Sequence, residues 1–270
     1  MRGIVAVATL ALASPAEAVG QTRAESGVTG RTGHPFRMPT ISPLESVYRL
    51  APVHVSRGDR SLWLGLAELG DRWSFWLRQR PDERFELSGA FHLKAASRFD
   101  LESVQNTFVE ITFRVGGYLR ARLGKVAARV EVYHVSSHLG DEFLLEEAVE
   151  RVSTSREGVD FLFQVAPADG LILYGGPGWL IRSTLPLATP SFRVGSEWES
   201  TADTWVRPYV GVDANAWAEL DWNPQVATEA GIALGRNARL GLLFGFGPPR
   251  ADQFLYETET LVGLSFTYRR

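Results

Sequence analysis

The sequence lacks cysteine, a large net charge and long hydrophobic runs, and each absence excludes a class of protein. Without cysteine, the 270-residue chain has no disulfide framework, no thiolate metal site and no cysteine nucleophile. Its 28 basic and 31 acidic residues give a net charge of −3, which is too balanced for a nucleic-acid binder that neutralises phosphates. No segment after the N-terminus holds about 18 consecutive apolar residues, so no transmembrane helix is expected.

The N-terminus predicts export. A basic start at Arg2 is followed by an apolar stretch over residues 3–13 and by Ala16-Glu17-Ala18, which matches an A-x-A cleavage site. These features are typical of a secretory signal peptide over residues 1–18. Residues 19–57 are rich in small and polar residues and in proline, so they predict a flexible leader and an irregular entry segment.

From residue 58 to the end of the chain, apolar and polar residues alternate almost everywhere. In one segment Val126, Ala128, Val130 and Val132 alternate with polar or large residues such as Arg129. Successive side chains of a strand point to opposite faces, so each such segment has one apolar and one polar face. Hydrophobic residues make up 45% of the chain, and this alternation places many of them on one face.

The alternation predicts an all-β fold, an antiparallel transmembrane β-barrel of about twelve strands over residues 58–270. Several strands are long enough for the ~9–11 residues that cross a bilayer. The polar faces mix acids, bases and aromatic residues, as a water-facing lumen does. A ten-stranded barrel and a secreted β-sandwich are the alternatives. The candidate strands are 61–69, 72–78, 85–95, 104–119, 125–137, 157–166, 170–182, 190–199, 204–222, 225–235, 238–247 and 256–268.

One segment, Tyr133 to Phe143, contains residues that suggest catalysis. His134 and Ser136 lie two residues apart, so both point to the apolar face that continues through Val132. A histidine beside a serine can act as a general base and activate the hydroxyl as a nucleophile. The imidazole needs a third group to orient it. Glu157 is the first candidate, because the alternation of faces places it on the apolar face of the next strand. Three acids of the connecting loop are the alternatives: Asp141, Glu142 and Glu150.

Two further roles are predicted near this pair. Ser137 and His138 are candidates for the second shell, with backbone amides near Ser137 as donors to an oxyanion. Asp141 and Glu142, within an acidic run over residues 138–156, could bind a divalent cation such as calcium. The same acids also fit a solvated loop face, and no cofactor is required by the sequence.

The run YHVSSHLGDEFL, Tyr133 to Leu144, resembles a bacterial family known as domain of unknown function 1207. That resemblance implies an exported outer-membrane barrel and no particular activity. The pair His134 and Ser136 also resembles the H-x-S pair of two outer-membrane lipid hydrolases, the phospholipase A and lipid A 3-O-deacylase barrels. This second resemblance implies that His134 is the base and Ser136 the nucleophile. Those families follow the serine with asparagine, where this chain has Ser137.

The sequence therefore predicts a protein of the bacterial outer membrane with a candidate lipid-facing site for hydrolysis of lipid esters. The alternative is a non-catalytic barrel, either structural or a pore for small solutes. The expected partners are outer-membrane lipids and the barrel-assembly machinery during insertion, and no nucleic acid.

Overall fold

The computed structural model describes residues 38–79, 85–147, 154–184, 190–249, 252–254 and 257–269. Twelve antiparallel strands form a closed barrel in which each strand pairs with its neighbours in sequence and β1 pairs with β12. The strands are β1 Tyr48–Arg57, β2 Arg60–Gln79, β3 Phe85–Asp100, β4 Phe108–Leu123, β5 Val126–Leu139, β6 Thr154–Val165, β7 Leu171–Ser183, β8 Ser191–Glu199, β9 Val206–Trp217, β10 Gln225–Leu234, β11 Ala238–Gly247 and β12 Glu259–Tyr268.

Helical structure in the described ranges is limited to short pieces between the strands. The helix α1 spans Asp141–Glu147, and single 3₁₀ turns occur at Ala218–Leu220 and Asp252–Phe254. Across the described parts of the chain, no helix has the length and apolar character needed to span a membrane. The predicted signal peptide at residues 1–18 lies outside the described residues.

The predicted barrel of twelve strands is confirmed, but the first two strand assignments are wrong. Residues 61–69 and 72–78 are parts of one strand, β2, and the first strand is β1, within the stretch predicted to be irregular. Pro52 suggested irregular structure because proline has no backbone N–H to donate. Pro52 lies within β1, where the pairing with β12 runs as far as Leu50 and resumes at Val53. The barrel domain therefore begins before residue 58.

The exterior of the barrel is apolar and its interior is polar. On β5, Val126 and Val132 are exposed, whereas Arg129 and Glu131 are buried. The same arrangement occurs on β11, where the apolar side chains of Leu242 and Phe244 are exposed. A water-soluble β-sandwich has the opposite arrangement, so the alternation belongs to a barrel that faces lipid outside and polar groups inside.

The two ends of the barrel differ in the length of their connections. One end carries the segment with α1, between β5 and β6, and the connection between β11 and β12. The other end carries tight turns, such as those between β4 and β5 and between β10 and β11. Long loops outside and short turns on the periplasmic side are typical of outer-membrane barrels, so the α1 end faces outward.

The segment before β1 lies inside the barrel. The carboxylate of Glu45 accepts hydrogen bonds from Arg129 on β5 and Arg193 on β8, and Lys94 Nζ donates to the Pro43 carbonyl at 2.8 Å. Residues 38–47 therefore contact several walls of the lumen. Residues 38–47 belong to the stretch 19–57 that was predicted to be a flexible leader and irregular entry segment, and here they are ordered inside the barrel.

Two glycines make room for that segment. A Cβ atom at Gly70 would lie 2.9 Å from Ser46 Cα, which is closer than non-bonded carbon atoms approach. A Cβ atom at Gly211 would meet the Ile41 side chain. Gly70 lies in the gap left between the candidate strands 61–69 and 72–78, and its lack of a side chain lets the backbone of the lumenal segment approach β2.

Ion pairs cross the remaining lumen. Arg98 on β3 contacts Glu259 on β12, and Arg239 on β11 contacts Glu197 on β8, with 2.6 and 2.7 Å between the nearest charged atoms. These side chains are almost fully buried, so each charge depends on its partner to replace hydration. Together with residues 38–47 they occupy much of the described interior, and an apolar cluster that includes Val53, Leu243 and Leu261 occupies another part.

We predict that Glu45→Gln lowers the free energy of unfolding by about 3 kcal/mol, because it removes the buried carboxylate that Arg129 and Arg193 share and leaves each arginine with a single buried acid, Glu131 or Asp213. Urea unfolding in detergent micelles measures the change. Asp59→Asn, in the exposed turn after β1, is the control and leaves the unfolding midpoint unchanged. Equal midpoints for Glu45→Gln and Asp59→Asn would contradict the role of this contact.

We also expect no steady pore. Ion pairs join strands three positions apart around the barrel, and residues 38–47 lie between the walls, so we expect no open path for an ion along the barrel axis. Planar-bilayer recordings of the purified chain should show no stable conductance step. A reproducible single-channel conductance would favour the small-solute pore instead.

Candidate functional site

The candidate site lies on the outer face of β5 and β6. In the register of these strands His134 is directly opposite Glu157, and Ser136 is directly opposite Ser155. Directly opposed residues of antiparallel strands point to the same side of the sheet. His134 Nδ1 lies 3.5 Å from Glu157 Oε1, and the two side chains are 42% and 45% exposed.

The surroundings of this pair are apolar. Val115 on β4 is the cross-strand partner of His134, and Phe113 is that of Ser136. Both are exposed on the exterior, as is Val132, which precedes His134 by two residues on the same face of β5. His134 and Ser136 lie near the outward end of β5, which ends at Leu139 just before α1. The site therefore lies at the upper edge of the apolar surface.

The arrangement provides the parts of a nucleophile–base–acid system. Because Nδ1 faces the Glu157 carboxylate, Nε2 is the ring nitrogen left to accept a proton. Within the described chain, no side-chain hydrogen bond connects Ser136 to His134. Such bonds are often long in a ligand-free site and tighten only when substrate binds.

The structure separates the two residues predicted for the second shell. Ser137 points into the lumen, where its side chain is completely buried and its Oγ accepts a hydrogen bond from Thr112 Oγ1 at 2.9 Å. Its hydroxyl therefore cannot reach the outer face, and the prediction was wrong for that side chain. Adjacent residues of a strand point to opposite faces, which is the physical reason. His138 is exposed on the outer face, two residues after Ser136.

Of the two acids predicted to bind a cation, Asp141 and Glu142, the second accepts a hydrogen bond from the neighbouring strand, and Glu146 of the same acidic run accepts one from the residue just before that strand. Glu142 Oε2 accepts a hydrogen bond from the Phe108 backbone N–H at 3.2 Å, and Glu146 accepts one from Thr107. No group of three or more histidine, aspartate or glutamate side chains within the described ranges is arranged to hold a metal ion. Glu150 lies outside the described residues.

A second His-Val-Ser sequence occurs on β1 and was not recognised from the sequence. His54 and Ser56 also point outward, near the outer end of the strand. The cross-strand partners of His54 are Trp63 and Val262, and the rings of His54 and Trp63 are 5.4 Å apart. Neither partner is a carboxylate, so this pair lacks the third group that His134 has. The repeated tripeptide is the signal that could have revealed it.

The closed barrel, apolar exterior and charged lumen define an outer-membrane β-barrel protein. The protein is therefore located in the bacterial outer membrane. The chain belongs to the family described as "Protein of unknown function (DUF1207)", whose model matches residues 70–269. A comparison with curated protein sequences finds no match.

Three solved structures similar to this chain are outer-membrane phospholipases. Outer membrane phospholipase A from Escherichia coli is 12% identical, with 88% of this chain and 94% of that chain covered and a TM-score of 0.57. An active-site mutant of that enzyme gives a TM-score of 0.59 at the same identity and coverage. The Salmonella typhi outer membrane phospholipase, a dimer with bound calcium, is also 12% identical, with 88% of this chain and 94% of that chain covered and a TM-score of 0.57. At this identity the likeness shows the fold alone.

We predict that Ser136→Cys reacts with an apolar maleimide in the folded protein, whereas Ser137→Cys reacts only after unfolding. Ser136 lies on the outer face and Ser137 is buried in the lumen. The natural chain has no cysteine, so each variant carries a single thiol. Mass spectrometry of the labelled protein measures the adduct. Equal labelling of the two folded variants would contradict the assignment of faces.

Proposed function

We propose that this barrel hydrolyses ester bonds of outer-membrane lipids, with Ser136 as nucleophile, His134 as general base and Glu157 as the group that orients the imidazole. The observation that carries the proposal is the contact between His134 Nδ1 and Glu157 Oε1 on the lipid-facing side. A serine on the same strand face, two residues further on, supplies the nucleophile.

The proposed reaction has two steps. His134 Nε2 takes the proton of the Ser136 hydroxyl while Oγ attacks the ester carbonyl carbon, and the protonated imidazole then protonates the departing lipid alcohol. In the second step His134 deprotonates a water molecule, which attacks the acyl-enzyme. The bond from the acyl carbon to Ser136 Oγ breaks, the hydroxyl regains its proton, and a fatty acid leaves.

The environment of the site supports a lipid as substrate. Val132, Val115 and Phe113 provide an apolar surface on which an acyl chain can lie along the barrel wall. The polar residues lie at the outward edge of that surface, at the level of lipid ester groups. The substrate would therefore enter from the side, within the membrane plane, and water would reach the acyl-enzyme from the outer surface.

Two further elements of the site would take part in the reaction, the donors to the oxyanion and a metal ion. Backbone amides near Ser137 are the candidate donors to the oxyanion that forms on the ester carbonyl. Calcium is bound by the similar Salmonella typhi phospholipase, and the described residues of this chain contain no cluster of three or more histidine, aspartate or glutamate side chains that could hold a metal ion. Activity should therefore be measured both with calcium and with a chelator.

We predict that Ser136→Ala lowers kcat by at least about 10³-fold, because removal of the nucleophile abolishes the acyl-enzyme route. The measurement is fatty-acid release from phospholipid in mixed detergent micelles. Glu157→Gln should lower kcat by a smaller factor, because the amide keeps the shape but not the charge that stabilises the imidazolium.

Ser56→Ala is the matched control, since Ser56 stands in the same His-Val-Ser sequence on the same outer surface without a carboxylate partner. It should retain the activity of the natural chain. Hydrolysis that persists unchanged in Ser136→Ala would contradict the proposal. A natural chain that hydrolyses no phospholipid, with or without calcium, would favour a non-catalytic barrel.

A further inference from the structure

Ser155 lies beside the candidate site and takes no part in the triad proposed above. It is the second residue of β6 and the direct cross-strand partner of Ser136 on β5. Directly opposed residues point to the same side of the sheet, so Ser155 faces outward with Ser136. It is partly exposed, near the outward end of its strand. Two hydroxyl groups therefore stand next to each other on the outer face.

The backbone contacts of Ser155 show that the two serines form a close pair. The Ser155 N–H donates to Thr184 Oγ1, and the Ser155 carbonyl accepts from the Thr184 N–H, each at 2.8 Å. Both backbone groups of Ser155 therefore point toward β7 and away from β5. In an antiparallel ladder, partners that exchange no backbone hydrogen bonds are the closer ones, with Cα atoms about 4.5 Å apart. The Ser155 side chain is thus within reach of a group bound at Ser136.

The Ser155 hydroxyl is available as a donor. Its oxygen and proton have no hydrogen-bond partner among the residues that the structure describes, since Thr184 contacts only the backbone of Ser155. The neighbouring Ser137 differs, because its hydroxyl is on the lumenal face and is bonded to Thr112. A free hydroxyl on the outer face therefore belongs to Ser155.

The proposed reaction needs such a donor. The ester carbonyl oxygen becomes negatively charged when Ser136 attacks, and hydrogen bonds to that oxygen are usually a large part of catalysis. The residues around Ser136 pair with β4 on one side and β6 on the other, so the ladder occupies most backbone N–H groups there. The neighbouring side chains of Phe113 and Val115 are apolar and donate nothing. The amides near Ser137 therefore need a side-chain donor beside them.

We infer that Ser155 is a further catalytic residue, an inference that rests on the proposed function of Ser136. Its Oγ–H donates a hydrogen bond to the oxyanion that forms when Ser136 Oγ adds to the ester carbonyl carbon. The hydroxyl keeps its proton throughout, and the hydrogen bond weakens when the carbonyl forms again. Because the negative charge exists only in and around the tetrahedral intermediate, this contact raises kcat and leaves substrate affinity nearly unchanged.

The test compares phospholipid hydrolysis by Ser155→Ala and Ser155→Thr, as full chains in mixed detergent micelles. We expect Ser155→Ala to lower kcat about 10²-fold with little change in KM, whereas Ser155→Thr keeps a hydroxyl and retains most of the activity. A long-chain alkyl trifluoromethyl ketone adds to an activated serine and forms a tetrahedral adduct with an oxyanion. Its Ki should rise in Ser155→Ala by about the same factor as kcat falls.

Ser61→Ala is the matched control, since Ser61 is the cross-strand partner of Ser56 in the other His-Val-Ser sequence. It should keep the kcat and the Ki of the natural chain. The heat-modifiable migration of folded barrels on gels restricts the comparison to folded variants.

Native kcat in Ser155→Ala, with Ser136→Ala inactive, would overturn the role of Ser155 and leave the proposed function standing. Equal losses in Ser155→Ala and Ser155→Thr would also overturn that role, because the loss would then follow from packing and not from the hydroxyl. A natural chain without ester hydrolysis would overturn both the proposed function and this inference.

Discussion

Closure of the sheet by the pairing of β1 with β12 is the constraint on which the rest of the structure depends. A lipid environment offers no hydrogen bonds to the backbone, so every strand must pair on both sides. Once the sheet is closed, each side chain faces either lipid or lumen, and neighbours in sequence face opposite ways. This rule places His134 and Ser136 on the outside, and it places Ser137 and Tyr133 inside.

The same rule divides the protein into two chemical environments. Inside, charged side chains satisfy one another across the barrel and around the segment 38–47, which leaves a packed interior rather than an open channel. Outside, few polar groups occur at membrane depth, so a histidine that contacts a glutamate at the upper edge of the apolar surface is chemically distinct. The lumen therefore supports the fold, while the proposed lipid chemistry takes place on the exterior.

Alternation in the sequence was sufficient to predict the twelve-stranded barrel and the shared face of His134 and Ser136. The alternation pattern failed at the start of the barrel, where Pro52 suggested irregular structure although it lies within β1, and where β2 was divided into two strands. The contacts of the lumenal segment could not be predicted, because Glu45 pairs with Arg193, 148 residues away, through tertiary packing alone. Whether Glu157 lies directly opposite His134 depends on how β5 and β6 are aligned. The alternation of residues along each strand limits that alignment but does not fix it.

The most direct test of the account is covalent labelling in the membrane with a long-chain alkyl fluorophosphonate. This reagent loses fluoride to an activated serine and forms a phosphonate ester on its Oγ atom. Two His-Val-Ser sequences compete on the outer surface, and only Ser136 belongs to the one whose histidine contacts a carboxylate. The account predicts an adduct on the peptide that contains Ser136 and none on the peptide that contains Ser56. An adduct on Ser56, or none on either serine, would contradict it.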